Sequence, residues 1–364
     1  MRPGRWVAVG AMLIGLPPAG VLLRGGALAP YFEFPPQSRF ITHAPFSWVA
    51  FGLISVLSLI SIVPLLRGLV CRRTTCGAKP TARWPFPWWG WVGVLLGGTA
   101  WALAWTRFSW FSAFQPHTFP MLWGAFILVF NGLTQRRTGA CLMMARPMSF
   151  MMLFPASAIF WWFFEYLNRF VQNWYYTGVH YPPWTYFILA TFSFAMVLPA
   201  VLSVREWLLS FPRVSAVLQG RRLYPTFTSA AAARWALVAA GGGLLLAGAV
   251  PDHGFPFLWL SPLVAVLALQ VQGGYCHLLS EACRGVWGAV AAAALAGLFC
   301  GGFWEMWNYF SLARWSYAIP FVDRFHLFEM PLLGYAGYLP FGIECALIGD
   351  AILSRRIDGK PPLP

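Results

Sequence analysis

The chain has 364 residues, of which 59 % are hydrophobic and 10 % charged, with 21 Trp, 32 Phe and a mean hydropathy of +0.62. That composition excludes a soluble globular domain and reads as a polytopic membrane protein. The formal net charge of +14 does not mark a nucleic-acid binder, because the basic residues lie in short clusters between apolar runs and form no stripe or tail.

Ten runs are long enough, or nearly so, to cross about 30 Å of hydrocarbon. They cover residues 6–23, 46–66, 88–105, 119–133, 149–169, 184–204, 235–250, 255–272, 286–309 and 331–353, the fourth and seventh being short and Pro17-Pro18 interrupting the first. The expected fold is all-α, a single integral membrane domain over 1–364 with about ten transmembrane helices. With the N-terminus inside, all but six of the 25 Lys and Arg fall on the cytoplasmic side, the exceptions being Arg24, Arg39, Arg107, Arg169, Arg314 and Arg324. Both termini are therefore expected in the cytoplasm, and a bacterial inner (cytoplasmic) membrane is the simplest setting. Met1-Arg2-Pro3-Gly4-Arg5 before an apolar run ending near Ala27-Leu28-Ala29 has the outline of a secretory signal, but the loop charges beyond it stand either way, and an uncleaved first helix is expected.

Cysteines agree with this topology. Cys71, Cys76, Cys141, Cys276 and Cys283 fall on the reducing side and Cys300 and Cys345 within spans, with neither a disulfide framework nor the tight paired spacing of a zinc site. Histidines behave oppositely: His43, His117, His180, His253 and His326 fall one in each predicted external loop. They are the only metal-ligand candidates, and no HxH or HxxH spacing joins them. The chain carries no GxSxG, HExxH or CxxCH motif and no glycine loop of the phosphate-cradling kind, so hydrolase, zinc-protease and c-type haem chemistry have no support.

The fifth and ninth runs end alike. Trp161-Trp162-Phe163-Phe164-Glu165-Tyr166-Leu167-Asn168 precedes Trp174-Tyr175-Tyr176, and Phe303-Trp304-Glu305-Met306-Trp307-Asn308 precedes Trp315-Ser316-Tyr317. Glu165 stands 34 residues before Pro199 and Glu305 35 before Pro340, each proline following a Leu. We read an internal repeat, with copies over 149–204 and 289–345 at spans five-six and nine-ten; four spans apart, the copies run parallel. Such repeats tend to place a site between them.

A carboxylate at membrane depth costs about 2.5 to 3.5 kcal/mol on insertion scales, so two in matching positions need either a packing role or a functional one. Glu and Asn at i, i+3 share a helical face, and the amide is expected to donate to the carboxylate or to share a ligand with it. The aromatic residues around them fit an interfacial belt, or a pocket walled by π faces. Glu344, deep in the last span, is a further intramembrane acid.

Trp304-Glu305, Asn308, Trp315-Ser316-Tyr317 and Phe328-Glu329-Met330-Pro331 fall in an order that resembles the lycopene cyclase domain of the heterodimeric type, found in some bacteria and fused in fungi. Glu305 stands where that family has Asp, and Glu329 alone replaces its paired acids. The chain also looks like an uncharacterised bacterial membrane family carrying the same F-E-M-P-L-L-G-Y segment. The cyclase resemblance implies tandem membrane repeats and acid chemistry on an isoprenoid.

Two readings follow. In the first, an acid-catalysed isoprenoid- or carotenoid-type lipid enzyme (cyclase, hydratase or isomerase) uses Glu305 or Glu329 as the acid, with Glu165 as the counterpart. Asn168 and Asn308 orient, while Trp304, Trp315, Tyr317, Trp174 and Tyr175 contact the substrate. No cofactor is needed; the partners are membrane lipid and a hydrophobic small molecule. In the second, a transporter or lipid-binding scaffold uses paired Glu-Asn sites.

Overall fold

Lipid offers backbone groups no partner, so apolar runs of this length fold into helices. The computed structural model describes residues 3–35, 38–71, 84–222, 229–273 and 278–353; Cys76, Cys276, Arg72, Arg73, Lys79, Arg83, Arg355, Arg356 and Lys360 lie outside them. The principal helices are α1 (Pro3–Leu23), α2 (Trp48–Cys71), α3 (Trp88–Trp105), α4 (Thr118–Thr138), α5 (Pro147–Val171), α6 (Pro183–Phe194), α7 (Val197–Leu209), α8 (Ala230–Ala249), α9 (Phe257–Gly273), α10 (Gly288–Tyr309) and α11 (Tyr338–Leu353). Among the described residues, seven helical stretches are long and apolar enough to cross a membrane: Gly4–Leu23, Trp48–Val70, Pro147–Val171, Pro183–Leu209, Ala230–Ala249, Gly288–Tyr309 and Leu332–Leu353. Of the other runs read as spans, α9 is apolar but shorter. α3 and α4 pack as a hairpin, with Gly93 seated against Ala125 and Leu128.

The run read as 184–204 is two helices. Pro199 cannot donate to the carbonyl four residues back, and Ser157 of α5 enters the break. Its hydroxyl donates to the Phe194 carbonyl at 2.6 Å and accepts from the Leu198 N–H at 3.0 Å, so the interruption stays satisfied.

α10 is rich in Ala and Gly, which lets α11 approach it backbone to backbone. A Cβ on Gly297 would fall on the Tyr338 carbonyl and Gly342, and one on Gly301 on the Tyr338 ring. α2 is held at its two ends instead. The Ser47 N–H before it donates to the Phe321 carbonyl at 2.9 Å, Phe51 meets Phe325 with centroids 5.6 Å apart, and Gly68 rests against Val217. At the end of the bundle where residues 205 and 350 lie, the buried Arg205 of α7 pairs with Asp350 of α11 at 2.6 Å.

At the other end, α5 and α10 each run into a short strand. β1 (Trp174–Thr177) pairs antiparallel with β2 (Arg314–Tyr317), setting Trp174 opposite Tyr317, Tyr175 opposite Ser316 and Tyr176 opposite Trp315. α5 stops because Gln172 takes φ 51° and returns its N–H to the Asn168 carbonyl at 2.6 Å. A second ribbon pairs β3 (His326–Leu327) with β4 (Met330–Pro331).

Candidate functional site

The β1–β2 ribbon brings the two sequence motifs together. Asn168 Nδ2 donates to the Trp174 carbonyl at 2.8 Å and its Oδ1 accepts from the Asn173 N–H at 2.8 Å. Asn308 binds Trp315 in the same way, donating to its carbonyl at 2.7 Å and accepting from its N–H at 2.9 Å. Each amide is thus spent on the strand that follows its own helix. The expectation that Asn168 and Asn308 hydrogen-bond the carboxylates is corrected: they are clamps that fold β1 and β2 back over the helix ends.

With the strands so placed, period-two alternation puts Trp174, Tyr176, Trp315 and Tyr317 on the face over the carboxyls. Glu165, 1 % exposed, receives three hydrogen bonds on Oε1: from Trp161 Nε1 at 3.1 Å, Trp174 Nε1 at 3.0 Å and the Tyr176 hydroxyl at 2.5 Å. Glu305, fully buried, lies with Oε1 2.7 Å from the Tyr317 hydroxyl and 2.6 Å from the Tyr338 hydroxyl. Trp315 Nε1 donates to the Tyr317 oxygen at 2.8 Å. The Oε2 atoms of both glutamates are buried without a hydrogen-bond partner.

Outward of these rings is a cavity of about 1050 Å³, walled by Trp161, Trp174, Tyr176, Trp304, Trp315, Tyr317, Tyr338, Phe341 and Trp259. Its remaining wall includes Ile54, Leu57, Ser58, Ser61 and Leu65 from the middle of α2, together with Phe194 and Val197 at the helix break. It reaches from Val290 near the start of α10 to Trp304 near its end, about 21 Å at 1.5 Å per helical residue. The space is long, apolar and lined with rings. Trp161 and Trp304, from the two motif helices, meet with centroids 5.5 Å apart, and Trp174 stacks on Trp259 at 5.5 Å. Such pairs each add about 0.5 to 1.5 kcal/mol beyond area burial.

Several expectations are corrected here. Tyr175 faces away from the cavity and packs edge-on against Phe40 at 5.4 Å, because it alternates with Trp174 and Tyr176. Glu329 binds β2 on the side away from the hydrogen-bonded carboxyl sets, its carboxylate 3.6 Å from Arg314 and 3.5 Å from the Ser316 hydroxyl. The histidines do not converge. His43 binds Asp252 at 2.6 Å and the Gln172 carbonyl, His326 binds Asp323 at 2.8 Å, His117 lies over Tyr181 and His253 against Phe321. Among the described residues, no three His, Cys, Asp or Glu gather as a metal site would need. Tyr338, Trp259 and the middle of α2 are the site's members that motif reading missed, and Trp161 stood in the first motif without a role; the Leu-Pro after Tyr338 was the nearest signal.

Burial first, and the neighbouring glutamate second, push the phenols of Tyr176 and Tyr317 well above their ordinary value. A phenol whose folded value is raised stabilises the fold fully below about pH 10, where free tyrosine ionises, and that contribution is lost as pH rises further. Subtracting the tyrosinate absorbance titration of Tyr317→Phe from that of the wild type should therefore leave no step near pH 10; a step there would show an accessible phenol.

No protein-family model matches the chain, and neither a curated protein nor a solved structure is similar to it at a significant level.

Proposed function

We propose that the chain is a bacterial cytoplasmic-membrane protein of ten spans, both termini inside, built from two parallel copies over 149–204 and 289–345. In this reading it binds a linear isoprenoid- or carotenoid-type lipid in the cavity and rearranges it by acid catalysis. The observation that carries the reading is the long aromatic cavity with a buried carboxyl set behind each side of one ribbon. The repeat is supported by matched roles: each Glu receives its own strand's tyrosine, each Asn clamps its own strand, and the two strands pair. A buried carboxylic acid supplies the proton, and indole and phenol faces stabilise a developing carbocation by about 0.5 to 2 kcal/mol per well-placed ring. The resemblance to the lycopene cyclase domain points the same way, with Glu305 in the acid position.

The break between α6 and α7 at the cavity wall favours a second reading, since transporters build sites at interrupted helices. Against it, the ribbon joins the motif helices by main-chain hydrogen bonds and opposes their rocking apart.

Mass spectrometry of the lipid that copurifies in mild detergent separates the two. The enzyme reading expects a polyene or isoprenoid enriched over bulk lipid and changed in structure in Glu305→Gln. Bulk phospholipid alone in both samples, with gradient-driven uptake in vesicles, would replace it by the transporter.

A further inference from the structure

The two carboxyl sets differ in a way that assigns them different work, and the assignment rests on the acid-chemistry reading above. Four residues before Glu165 stands Trp161, whose indole donates to it; four before Glu305 stands Gly301, and the space is filled by the Tyr338 ring. Two residues before Pro340 is Tyr338, and two before Pro199 is Val197. At equivalent sequence positions, a tryptophan and a valine on one side thus correspond to a glycine and a tyrosine on the other. The exchange keeps the volume filled and changes the chemistry, because an indole N–H only donates whereas a phenol both donates and accepts.

At Glu305 the hydrogen bonds form a chain with one direction. Trp315 N–H can only donate, and it fills the acceptor side of Tyr317, which turns the Tyr317 hydrogen toward Glu305 Oε1. The Tyr338 oxygen lies 2.6 Å from Glu305 Oε1 and also meets the Tyr317 hydroxyl, whose hydrogen it can accept, and Tyr338 lines the cavity. When the Glu305 carboxyl carries its hydrogen on Oε1, that hydrogen is directed to the Tyr338 oxygen and the Tyr338 hydrogen turns into the cavity. At Glu165, three donors converge on Oε1 and two of them are indoles, so the chain ends at the carboxyl.

We infer that protons enter the cavity through the Tyr338 phenol, with Glu305 as the acid behind it, and that Glu165 is a fixed carboxylate facing positive charge on the ligand. In the step, the Tyr338 O–H bond breaks and its proton bonds to one carbon of a ligand C=C, the π pair forming the C–H bond. Glu305 passes its proton to the Tyr338 oxygen and becomes a carboxylate, and the neighbouring ligand carbon becomes cationic. Loss of a proton from an adjacent ligand carbon returns it by the reverse route and restores both groups. The net change is isomerisation or ring closure, with no oxidant or reductant.

Infrared difference spectra of the full-length protein in nanodiscs, exchanged between H₂O and D₂O, read the carboxylic acid directly. In a Glu344→Gln background, which removes the other buried intramembrane acid, the exchangeable carboxyl stretch should be present with Glu165 and Glu305 intact and in Glu165→Gln, and lost in Glu305→Gln. It should shift in Tyr338→Phe, which removes its acceptor, and stay unshifted in Tyr335→Phe, whose phenol instead binds the Leu327 carbonyl. Size-exclusion elution as a single folded species qualifies each variant, and Tyr338→His, which restores an acceptor, replaces Tyr338→Phe if that variant aggregates. A band lost in Glu165→Gln instead, no band with Glu165 and Glu305 intact, or no shift on removing the Tyr338 hydroxyl would overturn the relay. Deuterium in the copurifying lipid of cells grown in D₂O tests the chemistry separately: its absence beside the expected infrared pattern would leave the relay standing and remove the enzyme reading.

Discussion

Gly297→Leu should abolish the folded protein or destabilise it by about 3 kcal/mol, the upper part of the range for overpacking a close contact. Its first side-chain carbon would fall on the Tyr338 carbonyl and on the Gly342 backbone, neither of which is the movable end of a side chain. α10 and α11 would separate, and with them Glu305 and the phenol that meets it. Gly302→Leu, five residues along the same helix, meets nothing within 4 Å and should leave yield and melting temperature near the wild-type values. Thermal unfolding followed by tryptophan fluorescence in detergent compares the two. Equal melting temperatures would mean that the helices do not approach as described.

Asn308→Ala should cost about 2 to 6 kcal/mol at most, taking about 1 to 3 kcal/mol for each backbone group left without a partner, with the lower part of that range expected because both groups are only part-buried. The two groups are the N–H and C=O of Trp315, both held by the one amide. Release of Trp315 also frees the indole that orients Tyr317, so the loss extends to Glu305. Asn308→Asp keeps the acceptor for the N–H and removes the donor to the carbonyl, and should fall between wild type and alanine. Hydrogen exchange at residues 314–317 is the second measurement: it should accelerate in both variants, and unchanged protection would remove the clamp from the account.

Much of this was legible because membranes make polar residues conspicuous. Glu165 and Glu305 stand out in runs of Trp and Phe, and both prove buried beside the same cavity. The Asn residues were equally conspicuous and were misread. Spacing of i, i+3 puts them on the carboxylate's face, but it says nothing of a strand that folds back and takes the amide first. Tyr175 was grouped with its neighbours because four residues carry too little alternation to reveal a strand. Tyr338 lies 33 residues from Glu305, and no local rule links them. Glu329 follows the ribbon closely in sequence, and a turn with Phe328 at φ 57° brings it back to Arg314 and Ser316 of β2, on the other face from Tyr317 and Glu305.

The clamp also bears on how the chain is made. Everything that meets Glu165 Oε1 lies between residues 161 and 176, so this acid has its partners as soon as β1 has been synthesised. β2 begins 140 residues after β1, about 7 to 28 seconds later at 5 to 20 residues per second. During that interval β1 is an open edge beside the bilayer, and Asn168 holds it in the shape that its partner will later meet. Glu305 is completed last, when Tyr338 arrives. The half of the protein made first can therefore wait in the membrane with its acid already hydrogen-bonded, before Trp259, Trp304 and Phe341 arrive to cover it.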